Sequence, residues 1–362
     1  MSMPDIINDQ NALVLLCERL RHETVIGLDT EFMRERTYFA RLCLMQLSFA
    51  DGAVCIDTLV LTDLSPLCAV LRTQSGRKVL HAARQDLEVL HPLTGPLRPL
   101  FDTQVAAALI GLPAQVGYGE LVKRLLGKSL HKSQTRTDWS RRPLTPAQLA
   151  YALDDVHYLP QLAQQLEAQL HALGRSRWFE EEMAELEATD SFKVEPEEAW
   201  RRLKGLSELD GARRSLAVAL AAWRERRAVA TDRPRNWVLP DAALRAIVAR
   251  VPRTPSELAT IAELPPGTRH HAGEQILELI AGLSLPATLP PLPQRRRPDP
   301  TESEAVRRLA ELTAQTGREL GIAPEILATR REMEQLVAGA REGGPLAGWR
   351  RGIIGDRLLG AL

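Results

Sequence analysis

The 362-residue sequence has few of the features that mark several large classes of protein. Aromatic residues make up only 4% of it, and no run of about 18 apolar residues is present, the length an α-helix needs to cross a membrane. Its four cysteines form no C-x-x-C pair, which argues against a disulfide framework or a cysteine-based zinc site. The first residues have neither the basic flank nor the apolar core of a secretory signal. We therefore expect a soluble cytoplasmic protein with reduced cysteines and no membrane partner.

The sequence also has no net charge, because 46 Lys and Arg residues balance 46 Asp and Glu residues. The distribution is uneven, however, since residues 200–235 contain ten basic and four acidic side chains, a local excess of six. Such a surface would attract nucleic-acid phosphates and bind them less tightly as the salt concentration rises. A solvated, arginine-rich helix face is the alternative.

The pattern of apolar residues divides the chain into an α/β part and a helical part. In residues 1–190 short apolar strands alternate with helices, which predicts a mixed sheet flanked by helices. After residue 195 the strand signals vanish, and a proline- and arginine-rich linker at 284–300 separates helical regions at 195–283 and 301–362. The predicted strands are 25–32, 41–49, 53–57, 78–81 and a segment near Phe101, and the long run 41–49 predicts a central strand.

Two acidic residues lie at the end of the first of these strands. Asp29 and Glu31 are two residues apart, and side chains two apart in a strand project from the same face. Carboxylates held together at the end of a buried strand repel each other unless a cation lies between them, and Mg²⁺ and Mn²⁺ prefer such oxygen ligands. The pair indicates a metal site, and a solvated strand end is the alternative for an isolated Asp-x-Glu.

A helix is predicted over residues 145–173, where apolar residues recur at three- and four-residue steps. Thr145, followed by a proline, is the expected N-cap, and Pro160 predicts a division of the helix into two pieces. Tyr151 and Asp155 are four residues apart and lie on one face. A carboxylate and a phenol one turn apart can serve as a metal ligand and a group that orients water.

A third acidic segment follows the short strand at 78–81. Asp86 lies in the first turn of the next predicted helix. A carboxylate there is also favoured by the helix dipole, so this position is consistent either with catalysis or with stabilisation of the helix start. His81 and His91 are not part of a zinc spacing, and we interpret both as structural or substrate-adjacent.

Taken in order, these segments resemble the ribonuclease D family of 3′–5′ exonucleases, whose superfamily is named for an Asp-Glu-Asp-Asp quartet. The resemblance covers essentially the whole chain and includes a characteristic segment at residues 130–144. The sister branch of the superfamily has histidine five residues before the last aspartate, where this chain has Ala150. The tyrosine branch has tyrosine four residues before it, so Asp155 rather than Asp154 fits the motif, with Tyr151 as the tyrosine.

The resemblance implies a fold and a domain order. It implies an α/β exonuclease domain (a ribonuclease H-like mixed sheet flanked by helices) at 1–190, followed by two small all-α domains of the helicase-and-RNase-D C-terminal (HRDC) type. The first, at 195–283, resembles the family in the segment 234–241, and the second, at 301–362, resembles it more weakly. Such domains are expected to help hold structured RNA, and generic helical packing is the alternative, above all for the second.

The resemblance also implies a mechanism with two divalent cations, Mg²⁺ or Mn²⁺. Asp29, Glu31 and Asp155 would hold one ion, and Asp29 would bridge to a second that Asp86 supports. Such ions activate a water and neutralise charge on the leaving oxygen. Tyr151, neutral at pH 7 because an ordinary phenol has a pKa near 10, would orient the water. The products would be nucleoside 5′-monophosphates, and the expected substrates are tRNA precursors and other stable RNA 3′ ends.

Five further residues are predicted to contact the substrate. Phe32 and Met33 could stack on the terminal base or belong to the core. Gln46 could hydrogen-bond the site or a 2′-hydroxyl. Lys132 and Arg136 could contact phosphates or belong to an ordinary exposed loop.

Two other functions stay open at this point. A DNA 3′–5′ exonuclease of the proofreading type shares the quartet, and a catalytically silent RNA-binding protein would share the helical regions. The sequence contains no polymerase module, and all four acids and the tyrosine are present. A 3′–5′ exoribonuclease is therefore favoured, and it is expected to be a monomer because no heptad pattern occurs.

Overall fold

The computed structural model describes residues 5–73, 75–130, 137–188, 192, 195–206, 209–283 and 299–362. The chain separates into two compact units. The first comprises Met1–Met33, Leu42–Phe192 and Pro298–Leu362, and the second comprises Arg34–Arg41 and Lys193–Arg297. Among the described residues, no helix has the length and apolar character that crossing a membrane requires.

A six-stranded mixed sheet lies at the centre of the first unit. Its strands are β1 (Ile6–Ile7), β2 (Val25–Met33), β3 (Arg41–Phe49), β4 (Gly52–Ile56), β5 (Arg77–Leu80) and β6 (Leu100–Asp102). They are arranged in the order β1-β4-β3-β2-β5-β6. The β3–β4 pair is antiparallel, whereas β1–β4, β2–β5 and β5–β6 are parallel. Because β3 is mostly apolar and lies between two other strands, eight of its nine residues are buried, which confirms the predicted central strand.

Eight α-helices of the described residues lie between residues 10 and 187 of this unit. They are α1 (Gln10–Leu20), α2 (Ser65–Thr73), α3 (Arg84–Thr94), α4 (Thr103–Leu109), α5 (Tyr118–Leu126), α6 (Pro146–His157), α7 (Leu159–Ala172) and α8 (Ser176–Glu187). Thr145 caps α6 reciprocally with Gln148, and proline occupies the first helical position. The predicted division of the long helix is confirmed, because α6 ends and α7 begins on either side of Tyr158, just before Pro160, which has no N–H to donate.

The part of the second unit between residues 195 and 283 is helical where the structure describes it. Its helices are a 3₁₀ helix (Pro196–Arg202), α9 (Gly211–Ala230), α10 (Arg235–Val238), α11 (Asp241–Arg250), α12 (Pro255–Ala259) and α13 (Pro266–Ala281). Trp200, Leu220, Leu244 and Ile276 lie in its apolar core. The segment 34–41, which follows β2 in the chain, belongs to this unit.

Residues 299–362 form helices that pack within the first unit. They are α14 (Pro300–Leu320), α15 (Pro324–Leu327), α16 (Arg330–Val337), α17 (Gly348–Arg350) and α18 (Asp356–Gly360). Trp349 stacks on Trp178 of α8 with ring centroids 4.4 Å apart, and its indole N–H donates to Glu182 at 2.8 Å. The buried Arg175 guanidinium donates to backbone carbonyls on both sides, those of Leu109 and Leu320.

The fold class predicted from the sequence is confirmed: a mixed sheet with flanking helices, followed by helical C-terminal regions. The predicted limits of the individual domains, 1–190, 195–283, 284–300 and 301–362, stay predictions. Most of the predicted linker, residues 284–298, lies outside the described residues.

Candidate active site

Three carboxylates from two elements meet in one cluster. Asp29 and Glu31 come from β2 and Asp155 comes from α6. Each offers one carboxylate oxygen, and these oxygens lie within 4.8 Å of one another. The alternation of side chains along a strand thus brings the first two together, and helix packing brings the third to them.

The close packing of Ser48 and of the start of α7 against β2 requires a residue without a side chain at Gly27. A Cβ atom at this position would lie 2.1 Å from Ser48 Oγ and 3.0 Å from Leu159 Cβ. Ser48 Oγ in turn donates a hydrogen bond to the backbone carbonyl of Val156 at 2.7 Å. Because Val156 follows Asp155, this bond fixes the turn of α6 that carries the third carboxylate.

The fourth acid of the predicted quartet is placed beside the cluster. Asp86 lies in the first turn of α3 and is 7% exposed. Thr30, which lies between Asp29 and Glu31 on β2, donates from its hydroxyl to Asp86 Oδ1 at 2.5 Å. The charge of Asp86 acts on the pKa of Asp29, so the four acids form one electrostatic group.

Burial raises the pKa of all four carboxyl groups. The pKa of Asp29 lies well above its ordinary value because of burial and then the charges of Asp86, Asp155 and Glu31. Burial and the neighbouring acids raise the pKa of Glu31 to about 8. Burial likewise raises the pKa of Asp86 and that of Asp155 to about 6. Such a crowded set of oxygen donors fits a hard divalent cation, which would supply the compensating positive charge.

Tyr151 lies against this cluster, one helical turn before Asp155. Its hydroxyl hydrogen-bonds the Asp155 carboxylate, and burial raises the tyrosine pKa above its ordinary value, so the phenol is neutral at pH 7. Its ring packs 6.2 Å from the ring of the buried Trp139, at an interplanar angle of 32°. This packing restricts where the phenol oxygen can point.

The predicted substrate-contacting residues occupy different environments. Phe32 and Met33, at the end of β2, are partly exposed. Gln46 on β3 is fully buried, and neither atom of its amide has a hydrogen-bond partner among the described residues. Lys132 and Arg136 lie outside the described residues. The roles assigned to the site residues stay predictions.

Two residues support the site in ways that the sequence did not predict. Arg142 donates two hydrogen bonds to Asp57, at 2.6 and 2.8 Å, and one to the carbonyl of Cys43, which ties the segment before α6 to the sheet. The Tyr118 hydroxyl accepts a hydrogen bond from the backbone N–H of Tyr158, between α6 and α7, at 3.1 Å. An arginine in a polar loop and a tyrosine at a helix start are common, so only their distant partners reveal these roles.

A mixed sheet with clustered carboxylates on a central strand and an adjoining helix defines a nuclease of the 3′–5′ exonuclease class. The 3′–5′ exonuclease family matches this chain at residues 4–171, and the HRDC domain family matches it at residues 213–280.

The chain belongs to the ribonuclease D family. Ribonuclease D of Jannaschia sp. is 39% identical over 99% of this chain and 95% of its own length. Ribonuclease D of Pseudomonas paraeruginosa is 37% identical over 100% of this chain and 99% of its own length. The crystal structure of Escherichia coli RNase D, described as an exoribonuclease involved in structured RNA processing, has a TM-score of 0.86 and 33% identity, covering 100% of this chain and 98% of that one. The predictions of the family and of a hydrolytic 3′–5′ exoribonuclease are thereby confirmed.

Proposed function

We propose that this chain shortens stable RNAs, tRNA precursors among them, from their 3′ ends and releases nucleoside 5′-monophosphates. The observation that carries the proposal is the meeting of Asp29, Glu31 and Asp155 oxygens within 4.8 Å. The relative from E. coli is described as acting in structured RNA processing, which supports structured RNA as the substrate class here.

In this mechanism Asp29, Glu31 and Asp155 would hold one divalent cation, Mg²⁺ or Mn²⁺, and Asp29 with the support of Asp86 would hold a second. When bound, the ions activate water and neutralise the charge that develops on the leaving 3′ oxygen. Tyr151 orients the attacking water through its neutral hydroxyl rather than removing its proton, because burial raises its pKa. Asp155 accepts the hydrogen bond of that hydroxyl and so fixes its position.

We propose that Phe32 and Met33 contact the terminal base, since they directly follow Glu31 and are partly exposed. Lys132 and Arg136 stay candidates for contacts to phosphates, and the fully buried Gln46 stays a candidate for a hydrogen bond within the site. The protein would act as a monomer in the cytoplasm, a reducing compartment that suits its four free, buried cysteines.

In the helical region at 195–283, fewer arginines would be free to bind RNA than the sequence count suggests. Arg202 and Arg235 pair with Glu225, and the buried Arg224 pairs with Asp241, so these three arginines are already engaged in ion pairs within the chain. Trp237 in α10 is 58% exposed, and an exposed indole offers a surface on which a base can stack. Replacement of Trp237 by alanine should therefore weaken binding of a 5′-labelled single-stranded RNA in fluorescence anisotropy.

The decisive experiment follows the shortening of a 5′-labelled RNA that has an unpaired 3′ tail, beside a DNA of the same sequence. Wild type is compared with Asp155→Asn and with Asp154→Asn, a matched control at the neighbouring position, in Mg²⁺, in Mn²⁺ and in excess EDTA. We expect a ladder that shortens from the 3′ end with wild type and Asp154→Asn. EDTA and Asp155→Asn should each abolish it.

Other outcomes separate the alternatives. Shortening of the DNA in preference to the RNA would favour the proofreading type of exonuclease. Salt-sensitive binding of RNA without shortening in either metal would contradict hydrolysis and leave an RNA-binding protein. Loss of activity in Asp154→Asn, with Asp155→Asn active, would reassign the last ligand.

A further inference from the structure

One buried carboxylate outside the quartet connects two helices of the first unit. Asp102 ends β6 and is 4% exposed. Its Oδ1 accepts hydrogen bonds from the backbone N–H groups of Gln104 at 2.8 Å and Val105 at 3.4 Å. This is the ordinary N-cap of the helix that follows, α4.

The same carboxylate also accepts two hydrogen bonds from a second chain segment. Ala82 N–H donates to Oδ1 at 3.1 Å, and Ala83 N–H donates to Oδ2 at 2.8 Å. These two residues connect β5 to α3, and Ala83 is the N-cap residue of α3. Because alanine has no side-chain acceptor, the start of α3 obtains its acceptor from Asp102, about twenty residues along the chain.

The backbone before α3 needs such an anchor. Ala82 has φ +56°, a left-handed conformation that non-glycine residues seldom adopt and that persists only where neighbouring groups hold it. Three residues after Ala83 comes Asp86, in the first turn of α3. The position of Asp86 is therefore fixed by two contacts. The Thr30 hydroxyl donates to the Asp86 carboxylate, and Asp102 accepts from the backbone just before α3.

We propose that Asp102 is a positioning residue for the catalytic site, whose carboxylate fixes the start of α3 and so sets where the Asp86 carboxylate lies. The inference rests on the proposed function, in which Asp86 supports metal binding. It assigns no contact with substrate or metal to Asp102. Groups that orient metal ligands by direct hydrogen bonds typically contribute about 10- to 100-fold to metal affinity or activity, and this range is the upper limit expected for Asp102.

Two substitutions separate this role from simple helix capping. Serine and asparagine are as good N-caps as aspartate, so Asp102→Ser and Asp102→Asn should both keep α4 capped. Serine has one oxygen where the carboxylate has two, and asparagine places an NH₂ donor where one of the accepting oxygens was. Neither can therefore accept from Ala83 and from Gln104 as the carboxylate does. Asp9→Asn is the matched control, because Asp9 caps α1 through the N–H of Ala12 at 2.9 Å.

The test measures Mn²⁺ binding to the full-length protein without RNA, by electron paramagnetic resonance, together with kcat and KM on the labelled RNA. We expect both Asp102 variants to bind Mn²⁺ about tenfold more weakly and to lose about 10- to 100-fold in kcat, with little change in KM. The control should match wild type in all three. Should Asp102→Asn not fold, as judged by circular dichroism, Asp102→Ser carries the test.

The inference would be overturned if the Asp102 variants kept wild-type Mn²⁺ affinity and kcat and showed at most a lower melting temperature. Asp102 would then act only as the N-cap of α4. A wild-type protein that neither binds Mn²⁺ nor shortens RNA would instead overturn the proposed function, on which the inference depends. The two failures are thus distinguishable in one set of measurements.

Discussion

Two groups of carboxylates in this chain have opposite charged surroundings. Asp29 of β2 has other acids as its charged neighbours, and burial together with those acids raises its pKa. Glu225 of α9 is 1% exposed and accepts hydrogen bonds from the Tyr38 hydroxyl at 2.5 Å, Arg235 at 2.6 Å and Arg202 at 3.0 Å. Burial alone would raise the pKa of Glu225, but these bonds and the arginine charges hold it below the ordinary value.

The difference shows which carboxylates receive a positive counter-charge from side chains of the same chain. Glu225 receives its counter-charge from the same chain, and the result is a structural connection between α9 and the segment 34–41 of the second unit. Asp232 adds to it by accepting from the N–H groups of Tyr38 and Phe39 at 3.0 Å each. The charged neighbours of Asp29 are other acids, so under the proposed function a bound cation would supply the missing counter-charge.

Replacement of Asp29 by asparagine gives the largest effect and tests the functional half of this comparison. We expect hydrolysis of the labelled RNA to fall by at least about a thousandfold, since a metal ion supplies several kcal/mol of transition-state stabilisation. The melting temperature in EDTA should be equal to or above that of wild type, because one repelling charge is removed. A loss of activity that is accompanied by unfolding in EDTA would instead make Asp29 a structural residue.

The second prediction concerns metal binding in the absence of substrate. Mn²⁺ at about 100 times its dissociation constant should stabilise the wild-type protein by about 2.7 kcal/mol, seen as a rise of several degrees in melting temperature. Asp29→Asn and Glu31→Gln should lose most of this rise, whereas Glu225→Gln should retain it. NaCl at matched ionic strength is the control, and an equal rise with NaCl would mean that the stabilisation is not specific to the site.

Replacement of Glu225 by glutamine tests the other part of the comparison, that the Glu225 ion pairs stabilise the fold. The variant keeps the shape of the side chain but leaves Arg235 and Arg202 short of a charged partner, which we expect to cost roughly 2 kcal/mol. This lies below the usual cost of breaking a buried pair because Arg202 is largely exposed and regains water. Hydrogen exchange of α9 and of the segment 34–41 measures the loss locally.

Glu198→Gln is the matched control for that measurement. Glu198 pairs with Arg201 on the surface, where both side chains are about half exposed, so exchange should be close to that of wild type. Equal exchange in the Glu225 and Glu198 variants would show that burial of Glu225 adds nothing to the strength of its ion pairs.

The local features of the site could be predicted from the sequence because their signals lie close together. The two-residue step of Asp29 and Glu31 places them on one face, and the four-residue step of Tyr151 and Asp155 does so on a helix. The cap at Thr145 and the helix division before Pro160 also follow from neighbouring residues. These patterns specify elements and faces, and they are correct here for that reason.

The contacts that assemble the elements could not be predicted in this way. Ser48 reaches the carbonyl of Val156 across 108 positions, and Arg142 reaches Asp57 across 85. The sequence also gave no reason to expect the segment 34–41 to belong with the second unit, or residues 299–362 to pack on α8. Periodicity describes which face of a helix is buried, and it carries no information on which partner buries it.

The smallest predicted effect is a change with pH in the stability that the charge of Glu225 contributes. It tests whether the arginines or burial determine the pKa of Glu225. The pKa of Glu225 is lower in the folded protein than in the unfolded chain, where it is about 4.3, so its charge adds stability above that pH. This contribution is lost as the pH falls through the folded-state pKa.

The glutamine side chain of the Glu225→Gln variant cannot titrate. The gap in exchange free energy between wild type and Glu225→Gln should therefore be constant from about pH 8 to pH 5 and shrink below about pH 4. A gap that already shrinks as the pH is lowered from 8 to 5 would place the pKa of Glu225 above its ordinary value. Burial would then outweigh the arginines, and Glu225 would behave as the site acids do.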